Sequence, residues 1–196
     1  MSASVTNPGV RGRSVRPESA SVSLYGLNTP IEASDQSPWW VLHTKPRQEK
    51  ALAQALAAAG VRVFLPAVRE RKAYGHRRRV VHRPLFPSYL FMAGSRDEAW
   101  FAEGTRRVAR VIEPPDGPAL ASELESIRLA LAAGADLDPY PYLKAGRRVR
   151  VRTGPFKGVE GVVDVRSRVD RLIITVNALG RSVALEVDAG VLEPAD

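Results

Sequence analysis

Residues 39–44, WWVLHT, are aromatic or branched at nearly every position, which predicts a pleated, buried strand with Trp39 and Trp40 on opposite faces. The period then lengthens. Leu52, Ala55, Leu56 and Ala59 recur at helical spacing, Pro46 stands in the first turn, Glu49 suits the positive end of the dipole, and Gly60 stops the run. Further strand signals lie in VRVFLP at 61–66, on either side of the basic stretch 69–83, in SYLFMA at 88–93 and in RRVARVI at 106–112. Helices are predicted around Asp97 to Glu103 and over 121–133, where Leu124, Ile127 and Leu131 share a face. Strands and helices are mixed without a regular βαβ alternation, so the fold class is α+β.

The segment GADLDPYPYLKAG, 134–146, interrupts both periods with proline, glycine and acid, and predicts a flexible linker. Beyond it, residues 147–152, 171–176 and 182–187 alternate at period two, punctuated by Gly154, Gly158, Gly161 and Gly180, as in a small antiparallel barrel. Alternation there opposes any helical alternative. The expected outcome is a constitutive barrel, independent of the first domain. Residues 1–38 are rich in Ser, Pro, Gly, Asn and Thr and predict a disordered leader. The expected divisions are thus a leader at 1–38, a domain at 39–133, a linker at 134–146 and a second domain at 147–196.

Charge sharpens this division. Residues 39–113 hold 15 Lys and Arg against 6 Asp and Glu, a balance of +9 that exceeds the whole chain's +8, whereas residues 145–196 hold 9 against 7. A basic first domain attracts phosphate backbones and acidic protein surfaces. In RERKAYGHRRRVVHR, 69–83, Tyr74 and Gly75 supply a turn from which Arg77, Arg78 and Arg79 project, with Tyr74 and His76 able to stack on exposed bases. The chain has no cysteine and only three histidines, His43, His76 and His82, so disulfides, thiolate metal sites and a histidine cage are not expected. It has no Gly-rich phosphate loop, no Ser/His/Asp spacing and no paired carboxylates in an apolar setting, so neither an enzyme nor a cofactor is expected. A cytoplasmic location is expected, since no apolar run approaches the roughly 20 residues that span a bilayer, and a monomer completes the expectation.

Two stretches carry a family resemblance. WWVLHTKPRQEKALAQAL, VFLPAVRE and RPLFPSYLF, at 39–56, 63–70 and 83–91, resemble the NGN domain of NusG-type transcription elongation factors in content, order and spacing. GRRVRVRTGPFKGVEGVV, 146–163, resembles the KOW motif that opens their C-terminal domain. The closing stretch 177–194 looks more like the specialised paralogues that serve particular long operons than like the housekeeping factor. Ser88 departs from the pattern, which has glycine in this FPGY turn.

The resemblance implies an NGN α/β sandwich with an antiparallel sheet, joined by a flexible linker to a small SH3-like KOW barrel. It implies an elongation and antitermination factor that binds the clamp helices of RNA polymerase and suppresses pausing. Leu85, Phe86 and Tyr89 would line the exposed apolar depression that receives those helices. Tyr74, His76, Arg77, Arg78 and Arg79 would lie near the non-template DNA strand. Phe156 and Lys157, at the tip of the KOW motif, would dock the ribosomal protein that doubles as NusE, or termination factor Rho. The alternative is a ribosome-associated protein whose KOW barrel grips RNA.

Overall fold

The computed structural model describes residues 29–32, 37–74, 77–140, 146–163 and 171–195. In chain order, β1 is Trp39–Thr44, α1 Glu49–Ala58, β2 Arg62–Phe64, β3 Ala67–Tyr74, β4 Arg77–Pro84, β5 Tyr89–Ala93, α2 Arg96–Gly104, β6 Val108–Ile112 and α3 Gly117–Ala132. β7 at Asp138–Tyr140, β8 at Arg147–Val151, β9 at Glu160–Val163, β10 at Arg171–Val176, β11 at Arg181–Glu186 and β12 at Leu192–Pro194 follow. A four-stranded sheet runs β2-β5-β1-β6, a six-stranded sheet runs β12-β8-β9-β10-β11-β7, and β3 and β4 form a separate hairpin. Every pairing among the described residues is antiparallel.

The first sheet is covered on both faces, which explains the unbroken apolar run of β1. Trp40, Leu42, Leu90 and Met92 meet Leu52, Ala53 and Leu56 of α1 and Ala99 and Ala102 of α2. On the other face, Trp39, Val41 and Phe91 meet Leu120, Leu124 and Ile127 of α3. The two tryptophans therefore face opposite ways, and Trp40 Nε1 donates to the Gly94 carbonyl at 2.9 Å. α1 begins at Glu49, so Pro46 precedes it instead of entering its first turn, and Ala59 lies exposed beyond its end. α2 is closed by a reciprocal capping box between Ser95 and Glu98.

Ser88 shows how the chain tolerates its departure from glycine. Phe86, Pro87, Ser88 and Tyr89 form a turn in which the Tyr89 N–H donates to the Phe86 carbonyl at 3.1 Å, and Ser88 sits at φ 67°. Proline followed by a positive φ is the requirement of a type II turn. The side chain of Glu49, buried in the fold, accepts the Ser88 N–H at 2.8 Å, and the Ser88 carbonyl accepts from Thr44 N–H at 2.8 Å. Glu49 thus fastens the turn, beyond the dipole role its position suggested. Glu49→Ala should cost about 1–3 kcal/mol, because it strands a part-buried N–H. Glu49→Gln, which keeps an acceptor oxygen, should cost less, and thermal unfolding of the pair checks the assignment.

The structure differs from sequence expectation at the junction of the two halves. Residues 138–140 of the expected linker are strand β7, paired with β11 from Asp138↔Ala184 to Tyr140↔Ser182, and Leu137 is buried. Residues 141–145 lie outside the described residues. The C-terminal sheet is not independent either. α3 rests on β1 along one flank and on β9 and β10 along the other, and one hydrophobic cluster runs from Trp39 through Ile127 to Val149, Leu172 and Val183. The reason lies in α3, whose buried residues include Ser126, Arg128 and Ala130 as well as the Leu124 and Ile127 stripe, too wide a surface for one sheet to cover. The expected leader is likewise anchored at its end: Ile31 is buried in that cluster, and its N–H donates to Glu125 Oε2 at 2.8 Å. Residues 1–28 and 33–36 lie outside the described residues. Among the described residues, no helix is long and apolar enough to cross a membrane.

Candidate binding surfaces

Leu85, Phe86 and Tyr89 are brought together where β4 turns into β5, but not as an open depression. Leu85 and Phe86 are each only 2% exposed. Phe86 meets Phe91 edge to face with centroids 6.2 Å apart, an arrangement that aromatic quadrupoles favour, and the Leu85 N–H donates to the Pro66 carbonyl at 2.8 Å. These two side chains build the core beneath the surface instead of forming the surface. Tyr89 is partly buried and lies at its edge, stacked on His43 at 5.0 Å.

What lies over Tyr89 comes from the C-terminal half. The guanidinium of Arg181, at the start of β11, stands 5.2 Å from the Tyr89 ring centroid, within cation–π range. Nearby, Glu123 of α3 accepts from the Asn177 backbone N–H at 3.1 Å and from Asn177 Nδ2 at 2.5 Å. Burial raises the Glu123 carboxyl above the usual carboxylate range, against the opposing pull of those two hydrogen bonds. Ser126 Oγ accepts the Glu160 N–H at 3.2 Å. A cleft of about 460 Å³ remains along this seam between α3 and β8–β10.

The basic hairpin is in register from Ala67↔Pro84 to Tyr74↔Arg77. Gly75 and His76 lie outside the described residues. Arg79 and Val80 are exposed on β4, and Arg83 reaches Glu70 at 3.5 Å. Phe156 sits half-buried against the hydrophobic cluster while Lys157 is exposed, in the turn between β8 and β9. Gly158, two residues on at φ 90°, would bring a Cβ to 3.6 Å from Leu129 of α3, so α3 runs close beside this turn. No group of His, Cys, Asp and Glu suited to a metal ion occurs among the described residues.

Comparison with known proteins supplies the family. A family profile described as "Transcription termination factor nusG" matches residues 37–128. The Escherichia coli K12 protein named "Transcription termination/antitermination protein NusG" is 32% identical over 142 residues, which is 68% of this chain and 77% of the relative. The chain belongs to the NusG family. A Vibrio cholerae protein of the same name is 31% identical over 144 residues, 68% of this chain and 78% of its own. A Deinococcus radiodurans NusG is 28% identical over 180 residues, covering 76% of this chain and 95% of that relative, so the similarity extends beyond the span that the profile matches.

Within this NusG-type frame, sequence reasoning singled out the Phe86–Tyr89 turn, the hairpin and the Phe156–Lys157 turn but missed the partner of Glu49, Arg181 and the Glu123–Asn177 contact. Glu49 carried a signal, since an acid at a helix start is poised to accept a backbone N–H. Arg181 and Asn177 carried none, because their partners lie 92 and 54 residues away in the sequence.

Proposed function

We propose that this NusG-family chain is a transcription elongation and antitermination factor. The observation that carries the reading is the Phe86–Tyr89 turn, which holds Tyr89 at the rim of an aromatic core beside a strongly basic hairpin. The N-terminal unit binds the clamp helices of RNA polymerase through the face that includes Tyr89. Binding the closed polymerase better than its paused, more open state shifts the population toward elongation, by an amount set only by the difference in affinity. The C-terminal sheet, the proposed KOW unit, recruits a second protein such as NusE or Rho through Phe156 and Lys157. Because Arg181 lies over Tyr89, the clamp face is available only when that sheet has swung away.

Binding measured on purified RNA polymerase tests the reading. Tyr89→Ala should weaken it at least tenfold, about 1.4 kcal/mol, with thermal stability little changed. Equal binding by a folded variant would remove the proposed face. Mapping the tagged protein along chromosomal DNA beside polymerase then separates a general factor, present on nearly all genes, from a specialised one confined to a few operons.

The hairpin makes a separate prediction. Replacing Arg77, Arg78 and Arg79 with alanine should lower affinity for upstream-fork DNA and flatten the dependence of log K on log salt by about 0.7–0.9 for each phosphate no longer neutralised. A salt titration with an unchanged slope would leave the arginines as a solvated tip.

A further inference from the structure

The face of the first sheet that carries α2 has no part in polymerase binding as proposed, yet it holds the most exposed large aromatics among the described residues: Trp100 at 61% and Phe101 at 50%. They stand on α2 beside β6, and β6 is an edge strand whose sole neighbour among the described residues is β1. Between the helix and this edge lies a groove of about 300 Å³, walled by Ala99 and Trp100 on one side and by Ala109 and Val111 on the other. An unpaired edge beside an apolar wall can accept an added strand, main-chain hydrogen bonds supplying affinity and alternate side chains supplying choice.

Alternation along β6 says which side chains such a strand would carry. Val111 joins the cluster beneath α1 and α2, whereas Ile112 joins the cluster beneath α3. Arg110 pairs with His43 in the register and therefore shares the face of Ile112. A strand laid along β6 would meet Trp100, Ala109 and Val111 with every second residue, and Arg110 with the residues between. Among the described residues Arg110 has no carboxylate partner, nor does Arg106 just before the strand, whereas Glu113 at the far end is already held by Arg96 at 3.2 Å and Glu103 lines the groove on its apolar side. Two unneutralised arginines favour carboxylates opposite them, since cross-strand pairs of opposite charge stabilise and like charges repel.

We propose that the α2–β6 groove docks an extended segment of a partner protein in which aliphatic and acidic residues alternate, added as a fifth strand to the first sheet. The apolar wall of the groove lies on the opposite side of the sheet from α3 and Tyr89, whereas Arg110 shares the Tyr89 side, paired with the His43 that stacks on that ring.

The full chain titrated with an end-capped heptapeptide of alternating valine and glutamate provides the test, with a valine–lysine peptide as control. Trp40 lines the same groove, so a change in tryptophan emission on binding is assigned to Trp100 by its loss in Trp100→Phe. The glutamate peptide should bind and the lysine peptide should bind at least tenfold more weakly. Arg110→Glu should reverse that preference, and Trp100→Ala should weaken binding at least tenfold by calorimetry; both side chains are exposed, and circular dichroism verifies that the variants fold. Equal binding of the two peptides, or no binding, overturns the proposal. So does a single-stranded oligonucleotide that displaces the peptide from Trp100, which would make the groove a nucleic-acid site. Sedimentation showing self-association that Trp100→Ala abolishes would make the occupant a second copy of this chain and overturn it as well.

Discussion

Phe86→Ala is expected to lower the stability of the chain by about 3–5 kcal/mol, the cost of emptying a large aromatic site in a core that cannot fully collapse. Phe86 is almost wholly buried, edge-on to Phe91, which in turn lies 6.4 Å from Phe64. Truncating Phe86 therefore breaks a chain of three packed rings at its end. In a denaturant titration the midpoint should fall with little change in slope, because the surface exposed on unfolding is nearly the same. Phe86→Leu should recover much of the loss. Tyr89→Ala should move the midpoint far less, since its ring is partly exposed. If instead Phe86→Ala left the midpoint in place and weakened only polymerase binding, Phe86 would be a surface anchor and its place in the core would be wrong.

Asn177→Asp is expected to raise affinity for RNA polymerase about tenfold at neutral pH, on the reading that the C-terminal sheet must leave Tyr89 before the clamp helices can dock. The substitution replaces the Nδ2 donor with a carboxylate facing the Glu123 carboxyl. At this exposed contact, loss of the hydrogen bond and like-charge repulsion together cost about 1.5 kcal/mol. A shift of that size in favour of the open form changes the open-to-closed ratio by roughly tenfold, and apparent affinity follows the fraction that is open. The effect has a pH sign. Burial already raises the Glu123 carboxyl, and a second carboxyl beside it raises one of the pair further, so acidification lets the two share a proton and restores closure. The radius of gyration measured by X-ray scattering should rise with the affinity and fall again at low pH. Unchanged affinity and unchanged size would show that the seam does not gate the surface.

Both expectations depend on contacts of different legibility. The elements were readable where a short period repeats: β1 and β10 match the apolar runs that predicted them, β5 begins one residue later than its run, α2 and α3 differ from theirs only at the ends, and β11 is displaced by a single residue. Gly60 and Gly180, both at positive φ, close elements where their lack of a Cβ permits it. Short pairings such as β7 with β11, three residues long and containing Pro139, have too little local pattern to be seen. Aromatic residues in the LFPSY turn were readable as important, but not as buried or exposed, because a core ring and a binding ring have the same composition.

By itself, the sequence determined the basic first half, the hairpin and the family, since each depends on residues close together in the chain or on their sum. Only the tertiary structure decided that Glu49 secures Ser88 across 39 residues, that Glu125 receives Ile31 across 94, and that α3 serves two sheets at once. Helical periodicity states how wide an apolar stripe is and leaves open what will cover it; the partner is chosen by shape and hydrogen-bond geometry between segments whose separation the local period does not record.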